Sequence, residues 1–226
     1  MRIGGLQKFS LIDYPGKMAA IVFTQGCNFR CPYCHNRELV LPEEFKESIP
    51  QEEVMGFLKR RRCQLDGVVI TGGEPTEQAD LIPFIGLVKE LGYLVKLDTN
   101  GSRPHIVDEI IQRQLVDYIA MDVKTSLEKY QKAIGVDFPV DKIKKSIELI
   151  KNSEIQHEFR TTVVRPFCSF GDIFKISSLV KGAQTYRLQA FRENPKIINP
   201  GIQEIDQFSA AEIESWQETI KNLVLR

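Results

Sequence analysis

Hydrophobic residues along the chain gather into short continuous runs, separated by stretches with helical spacing. The runs are apolar almost throughout, which is typical of parallel β-strands that are covered on both faces. We therefore predict one strand from each run. The predicted strands are Met18–Thr24, Gly67–Thr71, Leu94–Asp98, Asp117–Asp122, Glu158–Val164 and Thr185–Phe191.

Three other stretches carry clear helical stripes, in which apolar residues recur every three or four positions. The first helix is predicted to begin near Pro50, and its stripe is Val54, Phe57, Leu58 and Leu65. The other two stripes are Ile143, Ile147 and Ile150, and Ile213, Trp216, Ile220 and Leu223. We interpret all three stripes as faces that pack on a core, not as ligand sites.

The repeated alternation of strand and helix predicts an α/β fold with right-handed crossovers. A closed eight-unit barrel usually needs about 250 residues, whereas this chain has 226. A partial, open (β/α)6-type barrel with parallel strands and outer helices fits better, and a doubly wound open sheet is the alternative. We expect one domain over residues 1–226, with a core at about 18–195 and a C-terminal helix at 209–224. On either architecture, the active site lies at the carboxyl ends of the strands.

Charge and composition narrow the class of function. Lysine plus arginine equals aspartate plus glutamate, 30 against 30, and no basic stripe with interleaved aromatics indicates a nucleic-acid partner. No apolar run approaches the roughly 18 residues of a membrane span, and the N-terminus lacks the apolar region of a signal peptide. We therefore expect a cytoplasmic protein without membrane association. In that reducing compartment, five cysteines with three close together indicate metal binding or catalysis instead of disulfides.

The three clustered cysteines have the spacing Cys27-x3-Cys31-x2-Cys34. One interpretation is a structural zinc site with His35 as the fourth ligand, although adjacent residues seldom reach the same ion. A second is three ordinary buried cysteines, which their density within a loop rich in Asn, Arg, Pro and Gln disfavours. The third is an iron–sulfur cluster, which cysteine thiolates hold. A cluster of four irons with three cysteines leaves one iron without a protein ligand, and an open metal position is typical of a reactive site.

An aromatic residue, Tyr33, directly precedes the last of these cysteines. C-x3-C-x2-C with this aromatic resembles the cluster motif of the radical S-adenosylmethionine (radical SAM) superfamily. The resemblance implies that Cys27, Cys31 and Cys34 hold a 4Fe–4S cluster. It also implies that the amino and carboxylate groups of S-adenosylmethionine occupy the open iron.

Two further motifs follow predicted strands. In TGGEPT, the resemblance implies that Gly72, Gly73, Glu74 and Pro75 meet the amino group of the cofactor, and glycine permits the close approach of backbone to ligand. DTNG contains Asp98, Thr99 and Asn100. As an ordinary sequence it is a turn, but at the end of a strand Asp98 is placed to accept hydrogen bonds from ribose hydroxyls.

Asp122 and Lys124 alternate with Met121 and Val123, so both are predicted to point to the same side of their strand. DTNG together with this D-x-K pair resembles the activating enzymes of glycyl radical proteins. That resemblance implies cofactor contacts from these carboxylates and a monovalent cation near Asp98 and Asp122. By strand order alone, it also implies cofactor contacts from Arg160 and Gln189.

The N-terminal stretch GGLQKFSLIDYPGKMAAIVFTQGCNFRCPYCHN most resembles the anaerobic ribonucleoside-triphosphate reductase activating proteins, and the likeness extends to LQAFRENP at residues 188–195. Arg37–Pro50 is too short for the ferredoxin-like insert of larger activating enzymes, so one cluster is predicted. The implied activity is that of an oxidoreductase: a low-potential donor such as flavodoxin or ferredoxin reduces the cluster, S-adenosylmethionine is cleaved, and the 5′-deoxyadenosyl radical takes a hydrogen from a glycine of the partner reductase.

Two groups of alternatives remain open from the sequence. A radical SAM enzyme with this site could act on another glycyl radical enzyme, a peptide or a small molecule. A zinc-bound structural or interaction module is the alternative that is not an enzyme.

The remaining histidines and cysteines are interpreted as structural. His35 is expected in a loop, His105 early in a helix and His157 at the entrance of a strand. Cys63 falls within a helical pattern, and Cys168 follows a proline-containing loop.

Overall fold

A single seven-stranded sheet forms the centre of the computed structural model, which describes residues 1–192 and 196–224, the side chains of 222–224 excepted. The strands lie in the order β1 to β7, and the sheet is open, without pairing between its two edge strands. Six strands, β2 to β7, run parallel to their neighbours, and β1 is antiparallel to β2. The strands are β1 (Ile3–Ser10), β2 (Ala19–Thr24), β3 (Gly67–Gly72), β4 (Leu94–Thr99), β5 (Tyr118–Asp122), β6 (Gln156–Val163) and β7 (Tyr186–Ala190).

Helices connect the parallel strands on one side of the sheet. The described helices are α1 (Arg37–Val40), α2 (Gln51–Arg60), α3 (Leu81–Glu90), α4 (Pro104–Gln112), α5 (Tyr130–Ile134), α6 (Asp141–Lys151), α7 (Phe170–Leu179) and α8 (Ala210–Val224). Because each parallel pair requires a crossover, at least one helix lies between every two consecutive parallel strands. This arrangement confirms the open, partial barrel of parallel strands with outer helices.

The two faces of the sheet differ in what covers them. One face packs with the helices into a large apolar core that includes Val22, Ile70 and Leu97. The residues between them, such as Ile21 and Val69, belong to a smaller apolar cluster on the opposite face. We call this opposite face the inner face of the sheet. The nearly continuous apolar strands of the sequence reflect burial on both faces.

The sheet extends beyond the predicted core at its N-terminal side, since β1 begins at Ile3 and pairs with β2. No strand was predicted there, because Gly4, Gly5, Gln7 and Lys8 break the apolar run. The other predicted core limit, residue 195, lies outside the described residues. The predicted C-terminal helix at 209–224 corresponds to α8.

The first helical stripe was extended too far. α2 ends at Arg60, so the buried Leu65 reaches the core from the loop that follows. Cys63 was expected within this helix, but it is exposed and lies after α2, with a left-handed backbone φ of 62°. The apolar spacing in the sequence continues to Leu65, although the helix itself ends at Arg60.

Several packing assignments are confirmed. His105 is the second residue of α4, and His157 is the second residue of β6. Trp216 packs against the rings of Phe208 and Phe170, with centroid distances of 4.7 and 5.4 Å, and Leu223 lies outside the described side chains. Within the described part of the chain, no helix combines the length and the apolar character that crossing a membrane requires.

Candidate active site

A cavity at the carboxyl ends of the strands collects most of the predicted site residues. The cysteine loop after β2 forms one wall, and the ends of β3 to β6 form the others. The predicted residues that line it are Cys27, Cys31, Tyr33, Cys34, Gly72, Gly73, Glu74, Asp98, Thr99, Asn100, Asp122, Lys124 and Arg160. These residues are far apart in sequence and meet because parallel strands end at the same edge of a sheet.

The cysteine loop is held by its own backbone and by Arg30. The Cys34 amide donates to the Cys31 carbonyl over 2.9 Å, and the Arg30 guanidinium donates to the Cys27 carbonyl over 2.6 Å. The Phe29 amide points at the sulfur of Cys27, 3.4 Å away. All three thiols therefore belong to one tight turn at the wall of the cavity.

Burial raises the pKa of all three thiols, that of Cys27 and Cys31 to about 12. For Cys27 the nearby Glu74 carboxylate adds to the effect. A thiolate is the form that binds iron, and iron is the charge that would stabilise it here. Loading of a cluster by this loop is therefore coupled to the release of protons.

Gly73 allows the glycine-rich turn after β3 to lie directly against the cysteine loop. A Cβ atom at Gly73 would come within 2.0 Å of the Gly26 carbonyl oxygen. The same oxygen accepts a hydrogen bond from the Glu74 amide over 2.8 Å. Gly72, with a φ of 113°, supplies the left-handed bend that makes this approach possible.

The carboxylate of Glu74 joins two of the sequence motifs. It is fully buried and accepts from the Thr76 amide over 3.1 Å, from the Thr99 hydroxyl over 2.7 Å and from the Asn100 amide over 2.6 Å. Burial raises the pKa of Glu74, against the opposing effect of these donors. Glu74 thus fixes the turn of DTNG to the turn of GGEP.

Asn100 in turn reaches the cysteine loop. Its side-chain amide nitrogen donates to the side-chain oxygen of Asn28 over 3.1 Å and lies 3.8 Å from the sulfur of Cys27. Its side-chain oxygen accepts from the Ser102 amide over 2.9 Å. An N–H group directed at a cluster cysteine is one of the features that tune iron–sulfur sites.

Charged side chains from three strands meet on the inner face and form part of the cavity wall. Arg160 donates to Asp122 over 2.9 Å and lies 3.5 Å from Asp98, and Lys124 donates to the second oxygen of Asp122 over 3.1 Å. Burial alone would raise the pKa of Asp122, but Arg160 and Lys124 outweigh it and hold the pKa well below its usual range. The prediction that Asp122 and Lys124 share one side of the chain is confirmed.

Two predicted site residues lie elsewhere. Pro75 is buried at the start of a short 3-10 helix, Pro75–Glu77, and does not line the cavity. Gln189 is opposite Thr162 in the register of β6 and β7, but it is exposed and also absent from the cavity wall. Strand order placed Gln189 on the correct face without fixing its distance from the cysteines.

The cavity wall also contains residues that sequence reasoning did not select. They are Phe29, His35, Asn36, Val40, Thr71 and Thr162. Thr162 lies two positions after Arg160 on β6, so period-two spacing could have found it. His35 lies in a loop, as predicted, where its Nε2 donates to the Arg192 carbonyl over 2.7 Å.

The donors and the shape of this wall fit an iron–sulfur cluster with a small polar cofactor. The three thiols face one cavity, and the buried Tyr33 hydroxyl has no hydrogen-bond partner among the described residues. The described residues contain no group of three or more His, Cys, Asp or Glu side chains that is close enough for a single metal ion.

Comparison with known proteins gives the family of the chain. Residues 21–178 match the family model described as the Radical SAM superfamily. The chain belongs to the radical SAM superfamily. It is also 38% identical over 194 residues to a protein of Methanocaldococcus jannaschii that is assigned as a glycyl-radical enzyme activating enzyme, MJ1227. That match covers 84% of this chain and 79% of the other, so the chain is a member of this enzyme family.

More distant relatives of this radical SAM protein are pyruvate formate-lyase activating enzymes. The enzyme of Clostridium pasteurianum is 34% identical over 54% of this chain and 52% of its own length. The corresponding enzyme of Escherichia coli K12 is 30% identical over 60% of this chain and 57% of its own. The chain thus spans a little over half the length of these two relatives.

Solved structures share the fold at low sequence identity. Streptococcus suis SuiB bound to S-adenosylmethionine has a TM-score of 0.71 at 15% identity, covering 89% of this chain and 46% of SuiB. TYW1 with a lysine-pyruvate adduct has a TM-score of 0.66 at 16% identity, covering 90% of this chain and 73% of TYW1.

Family membership confirms two of the predictions from sequence. The cofactors of the radical SAM superfamily are a 4Fe–4S cluster and S-adenosylmethionine, as predicted, and the protein is a radical SAM enzyme. The zinc-bound structural module is therefore wrong. The roles of single side chains toward the two cofactors stay predictions.

Proposed function

We propose that this radical SAM enzyme activates a glycyl radical enzyme by removing a hydrogen atom from a glycine Cα of that partner. The observation that carries the proposal is the cavity that unites the cysteine loop, GGEP, DTNG and the D-x-K pair in a chain 38% identical to MJ1227. When bound, the cluster and S-adenosylmethionine supply one-electron cleavage of a carbon–sulfur bond and hydrogen abstraction from carbon.

The residues of this chain bind and orient. Cys27, Cys31 and Cys34 would hold three irons of the cluster, and the Asn100 amide would support the first of these sulfurs. The glycine-rich turn at Gly73 would bring backbone close to the amino group of the cofactor. The carboxylate of Asp98 would accept hydrogen bonds from its ribose.

The ion pairs of Asp122 would keep the lower wall of the site rigid. Both of its oxygens are bonded, one to Arg160 and one to Lys124, so the carboxylate cannot turn without breaking an ion pair. A fixed wall holds the cofactor in one geometry and excludes water from it, which limits side reactions of a radical.

A protein substrate fits the architecture of the sheet. β1 and β7 are its two edge strands and are not paired with each other, so the strands do not close into a complete barrel around the inner face. A loop that carries the target glycine could enter there. The electron would come from an external low-potential donor such as flavodoxin or ferredoxin.

We propose anaerobic ribonucleoside-triphosphate reductase as the partner, on the resemblance of the N-terminal stretch through residue 36. The relatives from Clostridium pasteurianum and Escherichia coli favour pyruvate formate-lyase as the second candidate. We place the reaction in the cytoplasm, where cysteines such as those described here, all unpaired, stay reduced.

The partner is tested by electron paramagnetic resonance. Anaerobically reconstituted and reduced protein is mixed with S-adenosylmethionine and with either candidate enzyme, and the glycyl radical signal is recorded. We expect the signal with the reductase and none with the lyase. A signal with the lyase alone would transfer the proposal to that partner, and 5′-deoxyadenosine without any protein radical would favour a peptide or small-molecule substrate.

A pair of cysteine variants controls for the cluster. Cys31→Ala removes a buried cavity thiol, whereas Cys63→Ala removes an exposed thiol far from it in the fold. We expect Cys31→Ala to abolish formation of 5′-deoxyadenosine and Cys63→Ala to leave it at the wild-type rate. Undiminished cleavage by Cys31→Ala would contradict the assignment of the cluster ligands.

A further inference from the structure

Lys96 is a buried charge that the function proposed above does not use. It lies in the middle of β4 on the inner face, with a relative exposure of 1%, two residues before Asp98. Its ammonium donates to one carboxylate oxygen of Asp98 and lies 5.9 Å from the centre of the Tyr118 ring. A fully buried lysine costs free energy unless its charge is paired, so this contact is what keeps Lys96 in the sheet.

The ammonium completes a closed set of charges. Asp98 uses its first oxygen for Lys96 and faces Arg160 with its second, 3.5 Å away. Asp122 uses its two oxygens for Arg160 and Lys124. Every carboxylate oxygen of the pair is therefore already next to a cationic group of this chain.

The neighbouring carboxylate, Glu158, has cationic partners as well. Glu158 lies 3.9 Å from Arg160 and is also paired, over 3.0 Å, with the largely exposed Arg187. The inner face thus carries four cationic side chains for three carboxylates, and each carboxylate lies next to at least one of them. The acidic members are Asp98, Asp122 and Glu158, and the basic members are Lys96, Lys124, Arg160 and Arg187.

These ion pairs do not fit the monovalent cation that the sequence led us to expect near Asp98 and Asp122. Such an ion is attracted by uncompensated carboxylate charge, and none is left here. We propose that the ammonium of Lys96 takes the place of that ion as a fixed internal cation, so that this enzyme binds S-adenosylmethionine without an alkali metal. The inference rests on cofactor binding alone and is independent of the partner protein.

Removal of the ammonium should recreate the site for the ion. In Lys96→Met, the side chain keeps most of its apolar length and loses its charge. The first oxygen of Asp98 would then have no cationic neighbour, and its second oxygen would keep only Arg160, which also faces Asp122 and Glu158. A small cation from solution can take the place of the ammonium beside Asp98, whereas tetramethylammonium is too large to enter.

The test is equilibrium dialysis of S-adenosylmethionine against the oxidised, cluster-loaded protein, which does not cleave the cofactor. Dissociation constants are compared in potassium, sodium and tetramethylammonium chloride at equal ionic strength. For the wild type we expect values that agree within about twofold between salts. For Lys96→Met we expect binding to be about tenfold weaker in tetramethylammonium than in potassium.

Two further proteins make the comparison specific. Lys89→Met removes the ammonium that pairs with Asp117 over 2.7 Å, away from the cavity, and should be as insensitive to the salt as the wild type. The double variant Lys96→Met/Asp98→Asn also removes the carboxylate that lost its partner, so its affinity, whatever its absolute value, should no longer depend on the cation.

The outcomes separate clearly. A tenfold potassium dependence of the wild type would overturn the proposal even if no variant folds. Salt-independent binding by a folded Lys96→Met would overturn it as well. Rubidium soaked into crystals of Lys96→Met should give an anomalous peak between Asp98 and Asp122 that is missing from the wild type, and a peak in the wild type would refute the inference.

Discussion

The contact between Gly73 and the cysteine loop makes a steric prediction that needs no cofactor. Replacing Gly73 by alanine would place its Cβ 2.0 Å from the carbonyl oxygen of Gly26. The obstacle is backbone, which has no rotamer to move aside. The turn after β3 and the cysteine loop must therefore separate by more than an ångström to admit one methyl group.

The cost follows from what that separation breaks. Overpacking of a tight site costs about 1–3 kcal/mol, and the hydrogen bond from the Glu74 amide to Gly26 is lost, which adds about 1 kcal/mol or more. We expect Gly73→Ala to lower the free energy of unfolding by about 3 kcal/mol. At this chain length, that corresponds to a melting temperature roughly 6–12 °C lower.

The assay is denaturant unfolding of the protein without cluster, followed by circular dichroism under reducing conditions. Gly86→Ala is the matched control, because Gly86 lies within α3 and a Cβ there meets nothing within 4 Å. Alanine in a helix should raise the free energy of unfolding by about 0.5–1 kcal/mol. If Gly73→Ala lies within 0.5 kcal/mol of the wild type, the close approach described here does not exist.

Two further predictions concern buried titratable groups. Burial lowers the pKa of His157 below its ordinary value of 6.5, so below about pH 6.5 the unfolded chain takes up a proton that the folded chain does not, and stability falls. His157→Gln should weaken this fall in urea titrations between about pH 7 and 5; equal slopes for the variant and the wild type would contradict the assignment. Asp172 closes the capping box at the start of α7 and accepts a hydrogen bond from Ser126, so Asp172→Ala should lower the free energy of unfolding by about 2–3 kcal/mol. Burial alone would raise the pKa of Asp172, but its hydrogen bonds lower it, so this loss should shrink as the pH falls below about 4; a loss that stays constant with pH would speak against the charged cap.

Much of the fold was accessible from local pattern. The predicted parallel strands appear within two residues of their expected limits because strands buried on both faces have an unmistakable apolar run. β1 escaped because it is antiparallel at the edge of the sheet, with Gln7, Lys8 and Phe9 exposed, so its pattern lacks that run. The end of α2 at Arg60 was also missed, because the sequence there carries no residue that marks the end of a helix.

The candidate site was less accessible, although most of the predicted site residues line the cavity. Sequence spacing shows that Asp122 and Lys124 face the same side, because they lie on one chain with a period of two. It does not show that Arg160 bridges Asp98 and Asp122, since the register between β4, β5 and β6 decides that. Lys96 was passed over for the same reason, as a lysine inside a predicted strand.

The amino-acid sequence by itself determined the chemistry of this protein, because the cysteine spacing and the motifs at strand ends are local features that a few adjacent residues define. Tertiary structure alone decided how those groups are held. Glu74 joins two turns across the cavity, and Lys96 pairs with Asp98 on the inner face. Both depend on distances between strands, and free energies of buried charges depend on such distances and not on order along the chain.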